Sequence, residues 1–226
     1  MITRSSILLI TFLQISLQSI SQSGNSLIPT KTNRGSSSKE AQMLFNEATD
    51  SLEAKKYIEA IPLYKKAIAI DTNFLDAYDN LGLTYRQLQM LDSAEYFYKT
   101  SFEKDPKNST PVQNLAVVAE LQNIPRKAML LYYLLSKMAP KDPEGYFGLA
   151  RMNYVLGRDD EALQSGQKAE ELYKKENSPL IKDCYLVLTV ICIRAGKGKL
   201  ARKYLSMAKE SGAKVEKELE DAVFKK

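Results

Sequence analysis

The sequence predicts an all-α fold: a right-handed α-solenoid of about five helical hairpins closed by a carboxy-terminal capping helix. Three observations predict it. First, residues recur at a period of 34: Ala60, Ala94, Ala128 and Ala162 form one column, Tyr64, Tyr98 and Tyr132 a second, and Asn46, Asn80 and Asn114 a third. Second, apolar residues within each unit fall at helical spacing, as at Tyr78, Leu81, Gly82 and Tyr85 and again at Ala94, Phe97, Tyr98, Ser101 and Phe102. Each segment therefore has one apolar face. Third, prolines punctuate the pattern at Pro106 and Pro140, where a residue without an amide proton ends a helix. One such hairpin cannot bury its own apolar face, but a stack of them can.

Taken in order, residues 1–21 place Arg4 before an apolar run from Ile7 to Leu17, with Ser19 and Ser21 flanking Ile20. That order of charged, apolar and small residues is expected of a secretory signal peptide cleaved after Ser21. The run contains Gln14 and falls short of the roughly 20 residues that span a bilayer, so membrane association is expected only if the segment is kept as an anchor. Residues 22–40 are rich in Ser, Asn, Gly and Thr and read as a flexible linker. Four units follow at about 41–74, 75–108, 109–142 and 143–176, and a fifth at 182–211. In the first, Pro62 predicts a mild kink or a delayed start. In the fourth, Gly166 stands where the first three units have tyrosine and predicts a thin spot in the packing. Between Ala162 and Ala201 the period breaks, which predicts a longer helix through Tyr173 and Lys175 and a loop at Asn177–Pro179. The closing segment KVEKELEDAVF, within residues 212–226, is charged on one side and suits a cap.

The unit from Leu75 to Asn108, with Tyr78, Leu81, Gly82, Tyr85, Ala94, Tyr98 and Pro106, closely resembles the tetratricopeptide repeat. The resemblance extends from about Ala41 to Ser211. It implies that the first helix of each hairpin lines a concave surface that binds protein segments. By position, that surface comprises Phe45, Asn46 and Thr49; Asp76, Asp79, Asn80, Leu83 and Arg86; Gln113, Asn114 and Val117; Glu144, Phe147, Arg151 and Tyr154; and, from the fifth unit, Asp183, Leu186, Val190 and Arg194. The family's clamp for a free carboxy terminus needs cations at set positions, and Phe45, Thr49 and Asn114 stand there instead. The column Asn46, Asn80 and Asn114 has two readings: carboxamides that grip an extended backbone, or carboxamides that bond the neighbouring repeat.

Composition narrows the function. The 226 residues contain 32 basic and 27 acidic side chains, a formal charge of +5, with no histidine. The commonest general base and metal ligand are thus missing. Bases and acids are interspersed, with no basic stripe carrying interleaved aromatics, so no nucleic acid partner is expected. No nucleophile–base pair, phosphate-cradling glycine loop or metal-spaced ligand set is present, so no catalytic residue, metal, cofactor or small-molecule substrate is expected. Cys184 and Cys192, eight residues apart on one helix, lie about 12 Å apart along its axis and cannot pair within it. The expected partner is a protein or peptide, and the expected role is that of an exported, non-catalytic scaffold or adaptor, periplasmic or secreted. A many-client holdase or secretion accessory is the alternative, and a carboxylate-based enzyme the remoter one.

Overall fold

The computed structural model describes residues 35–224, which form eleven helices and, among the described residues, no strand. They divide into two compact units, 35–124 and 125–224. The expected signal segment and most of the expected linker lie outside the described residues.

The amino-terminal unit holds α1 (Lys39–Glu53), α2 (Tyr57–Ile70), α3 (Leu75–Gln87), α4 (Leu91–Lys104) and α5 (Ser109–Leu121). α1 begins inside the stretch read as linker, because Ser38 caps it: its hydroxyl accepts from the Ala41 amide at 3.3 Å. Asn108 caps α5 in the same way, accepting from the Thr110 amide at 3.1 Å. α2 is not delayed by Pro62, which lies inside a helix already begun at Tyr57.

The carboxy-terminal unit holds α6 (Pro125–Met138), α7 (Pro143–Val155), α8 (Asp159–Lys175), α9 (Ile181–Arg194), α10 (Gly198–Glu210) and α11 (Lys217–Phe224). α8 runs for 17 residues, against 13 or 14 in its neighbours. The inserted residues therefore extend a helix. α11 starts after Glu216 and buries Leu219, Ala222 and Val223 against the last hairpin, where Lys209 pairs with Glu220 at 2.7 Å.

The first helix of each hairpin ends the same way. Lys55, Gln89, Asn123, Gly157 and Gly196 all have positive φ, between 56° and 75°. The next amide reaches back to form the wider bond of a Schellman turn, as from Lys56 to Ser51, Met90 to Tyr85 and Arg158 to Asn153, at 2.8–2.9 Å. Glycine adopts this conformation at little cost, whereas Lys55, Gln89 and Asn123 carry a Cβ into it.

Tyrosines of the second helices fill the core. Tyr64 and Tyr98 are fully buried, and Tyr132 nearly so. A Cβ on Gly82 would come within 2.8 Å of the Tyr98 ring, and one on Gly148 within 2.2 Å of the Tyr132 ring. Gly145, one turn before Gly148, meets the backbone of Ser136 on α6 as closely, at 2.8 Å. At Gly166 no thin spot exists. The Leu188 side chain moves into the space, 2.7 Å from where a Cβ would stand, and the Cys184 thiol donates to the Gly166 carbonyl at 3.5 Å.

Two stability measurements follow. Gly148→Ala should cost about 1–3 kcal/mol, because the Tyr132 ring has no room to withdraw. Gln89→Gly should gain roughly 1 kcal/mol by relieving the left-handed backbone. Thermal unfolding followed by circular dichroism reads both, and the two variants should shift the midpoint in opposite directions.

Candidate functional site

The side chains assigned to the inner face lie on α1, α3 and α5 in one unit and on α7 and α9 in the other. Many of them serve the fold. Phe45 is buried between Tyr64 and Phe74, with ring centroids 5.7 and 4.7 Å away. Thr49 donates to the Phe45 carbonyl at 2.9 Å and lies 3.0 Å from the Tyr64 hydroxyl. Asn46 is exposed and accepts from Gln42 at 3.0 Å.

The asparagine column divides accordingly. Asn80 is fully buried and its amide donates to the Tyr64 hydroxyl of the preceding hairpin at 3.3 Å. Asn114, also buried, accepts from Arg86 at 3.5 Å. The column is thus no exposed ladder: two of its three members bond neighbouring hairpins. Asp76, Asp79, Leu83, Gln113 and Val117 are buried as well. The Tyr64 hydroxyl is pushed up to about 12 by burial, with the bonds from Thr49 and Asn80 pulling the other way, so it stays protonated at neutral pH.

In the carboxy-terminal unit the arginines are engaged internally. Arg151 donates to the Tyr132 hydroxyl at 3.0 Å, and its guanidinium sits 4.9 Å from the Phe147 ring centroid. Phe147 in turn meets Tyr173 edge-on. Arg194 lies 3.5 Å over the Tyr154 ring, donates to the Tyr154 carbonyl at 2.6 Å and pairs with Asp159 through its Nε at 2.7 Å. Asp159 stands on α8, outside every position read as inner face, and no spacing in the sequence pointed to it. Glu144 is half-buried and accepts from the Tyr173 hydroxyl at 2.6 Å. Arg86, Arg151 and Arg194 are thus each held by a side chain or carbonyl of the chain itself.

Asp183, on α9, stands apart from these. It is 6 % exposed, and its Oδ2 has no hydrogen-bond partner among the described residues. The oxygen of the Asn80 carboxamide is the matching case in the other unit. Burial raises the Asp183 carboxyl above its usual 3.8, against a weaker pull from Lys182. Both cysteines are buried on α9 as free thiols; burial pushes Cys192 up to about 11 and raises Cys184 well above the ordinary thiol value, so neither is a thiolate at neutral pH. Among the described residues no group of three or more His, Cys, Asp or Glu could hold a metal ion.

The raised Asp183 value has a sign. The folded chain holds this proton more tightly than the unfolded chain does. Its contribution to stability is therefore fully present below pH 3.8 and is lost as pH rises through the folded-state value. Asp183→Asn should raise the melting temperature at neutral pH and leave it unchanged below pH 3.8. A lowered melting temperature at neutral pH would show that the carboxylate is satisfied after all.

No family model matches the chain. Among curated proteins it is 24 % identical over 154 residues to anaphase-promoting complex subunit 3 of Schizosaccharomyces pombe, covering 68 % of this chain and 22 % of that one. It is 25 % identical over 112 residues to the uncharacterized protein ycf37 of Guillardia theta, covering 47 % of this chain and 61 % of that one. The chain thus spans less than two thirds of the length of either relative. Among solved structures it superposes on MamA of Desulfovibrio magneticus RS-1 with a TM-score of 0.69 at 16 % identity, covering 78 % of this chain and 97 % of that one. Pseudomonas aeruginosa pilF gives 0.68 at 16 % identity, covering 78 % of each chain. YrrB, described as a TPR protein with an unusual peptide-binding site, gives 0.60 at 20 % identity, covering 75 % of this chain and 84 % of that one. Paired helices, recurring Schellman turns and these superpositions agree: the chain has the tetratricopeptide-repeat fold.

Proposed function

We propose that the chain is a non-catalytic protein-interaction scaffold or adaptor that works outside the cytoplasm and takes a partner helix or extended segment on the inner face of its first helices. The observation that carries this reading is the pair of buried acceptors on first helices, Asn80 Oδ1 and Asp183 Oδ2, that find no donor among the described residues. Buried polar atoms are normally paired, and a bound segment would supply the missing donors. The fold supports the reading, and so does the peptide-binding site ascribed to YrrB, a structural neighbour. The location outside the cytoplasm rests on Arg4, the Ile7–Leu17 run and the small residues before Gln22.

Affinity capture of the tagged chain from its native cells tests both halves. The expected result is one stoichiometric protein partner, with the captured chain beginning at Gln22. Asn46→Lys changes an exposed inner-face position and should weaken capture of that partner while leaving the circular dichroism spectrum intact. Undiminished capture by this variant would exclude that part of the inner face. A chain recovered from the cytosol with residues 1–21 attached would exclude export, and many unrelated unfolded clients would indicate a holdase.

A further inference from the structure

We propose that α6 carries a second docking surface, and that it takes a helix of a protein partner whose apolar stripe is flanked by carboxylates. The surface is built on second helices, so it stands independently of the inner-face reading above.

The register of α6 defines it. At 100° per residue, Arg126, Leu130, Tyr133, Leu134 and Lys137 fall within an arc of about 100°. All five are exposed, Leu130 at 63 % and Tyr133 at 54 %. Ala128, Tyr132, Leu135 and Ser136, on the other side of the helix, are buried.

The repeat itself shows that the exposed arc has no structural need of apolar residues. At the positions matching Tyr133 and Leu134, the second hairpin has Lys99 and Thr100, the first has Lys65 and Lys66, and the fourth has Gln167 and Lys168. Among the first four hairpins, only the third places two apolar side chains there. With Leu130 they form one exposed apolar stripe, the mark of an interaction surface. A groove of about 510 Å³ opens beside it, bordered by Tyr133 and Lys137, by Tyr146 and Leu149 of α7, and by Gln164 and Lys168 of α8. Such a recess seats an apolar anchor of a protein segment, which a lipid surface would leave unused.

Charge selects the segment. α6 contains Arg126, Lys127 and Lys137 and no acid, whereas every other second helix contains at least one. Arg126 stands in the first turn, where the helix dipole disfavours a cation. Lys137 lies 5.0 Å over the Tyr133 ring, and neither Arg126 nor Lys137 enters an ion pair among the described residues. Across the groove, Lys168 is neutralised by Glu171 at 2.8 Å. Arg126 and Lys137 are eleven residues apart, about 16 Å along the axis, with the apolar stripe between them. A partner helix with carboxylates at the same separation, flanking its own apolar residues, meets both cations.

The test uses three helical peptides that share one leucine stripe and carry Glu, Gln or Lys at two flanking positions set eleven residues apart. Each is titrated with the full chain and followed by fluorescence anisotropy. The Glu peptide should bind about tenfold tighter than the Gln peptide, with the Lys peptide weakest. Tyr133→Gln with Leu134→Gln should weaken the Glu peptide about tenfold or more and leave the circular dichroism spectrum intact. Arg126→Glu with Lys137→Glu should reverse the order and favour the Lys peptide. Equal binding of the three peptides, or undiminished binding of the Glu peptide by Tyr133→Gln with Leu134→Gln, overturns the assignment. Binding of no peptide overturns it as well; if phosphatidylserine vesicles then retain the parent chain but not that variant, the surface faces a membrane instead. None of these failures touches the inner-face reading.

Discussion

The structure depends on one close approach: a tyrosine ring on a second helix laid against a residue with almost no side chain on a first helix. Tyr98 lies on Gly82 within its own hairpin, and Tyr132 lies on Gly148 of the hairpin that follows. Tyr64 binds both neighbours through its hydroxyl, to Thr49 behind and Asn80 ahead. The same column of rings thus fixes the spacing within a hairpin and between hairpins. Close packing leaves little slack there, because a single methyl group at Gly82 or Gly148 would overlap the ring. Where the column lapses, at Gly166, Leu188 of the following helix takes up the space, so the contact is restored from the other side.

Local geometry supplies the second constraint. A hairpin forms only if the first helix stops at the residue that lets the chain reverse, and here each stop is a Schellman turn with one left-handed residue. Gly157, Gly196 and Asn123 suit that conformation, while Lys55 and Gln89 carry into it side chains that do not favour it. Turns between hairpins are built differently: Asp71, Asp105 and Asp142 each accept an amide two residues on, the first two just after a helix ends and Asp142 as the cap of the next.

The inner face follows from these two constraints. With the core filled by tyrosines, polar residues of the first helices must either join the internal network or be left for a ligand. Asn114, the three arginines and the amide nitrogen of Asn80 join it, while the Asn80 carboxamide oxygen does not. Asp183 does not, and a buried carboxylate with an unpaired oxygen lowers stability without any return from packing.

The helices, their order and their pairing were legible in the residues, because a 34-residue period and helical apolar spacing are properties of the chain alone. The lengthening of α8 was legible for the same reason, since an insertion must go somewhere along the period. The left-handed positions at Lys55 and Gln89 were not, because nothing in those side chains favours positive φ and only the packed neighbours impose it. The roles of Gly145 and Gly148 were likewise hidden until α6 was seen against them. The inner face was legible as positions but not as chemistry: an arginine in the sequence looks the same whether it awaits a ligand or holds Tyr132. The sequence by itself therefore determined a stack of tetratricopeptide-type hairpins. Only the tertiary structure decided which polar groups that stack uses up and which, at Asp183, it leaves unpaired, because hydrogen-bond partners far apart in the chain meet only once the helices have packed.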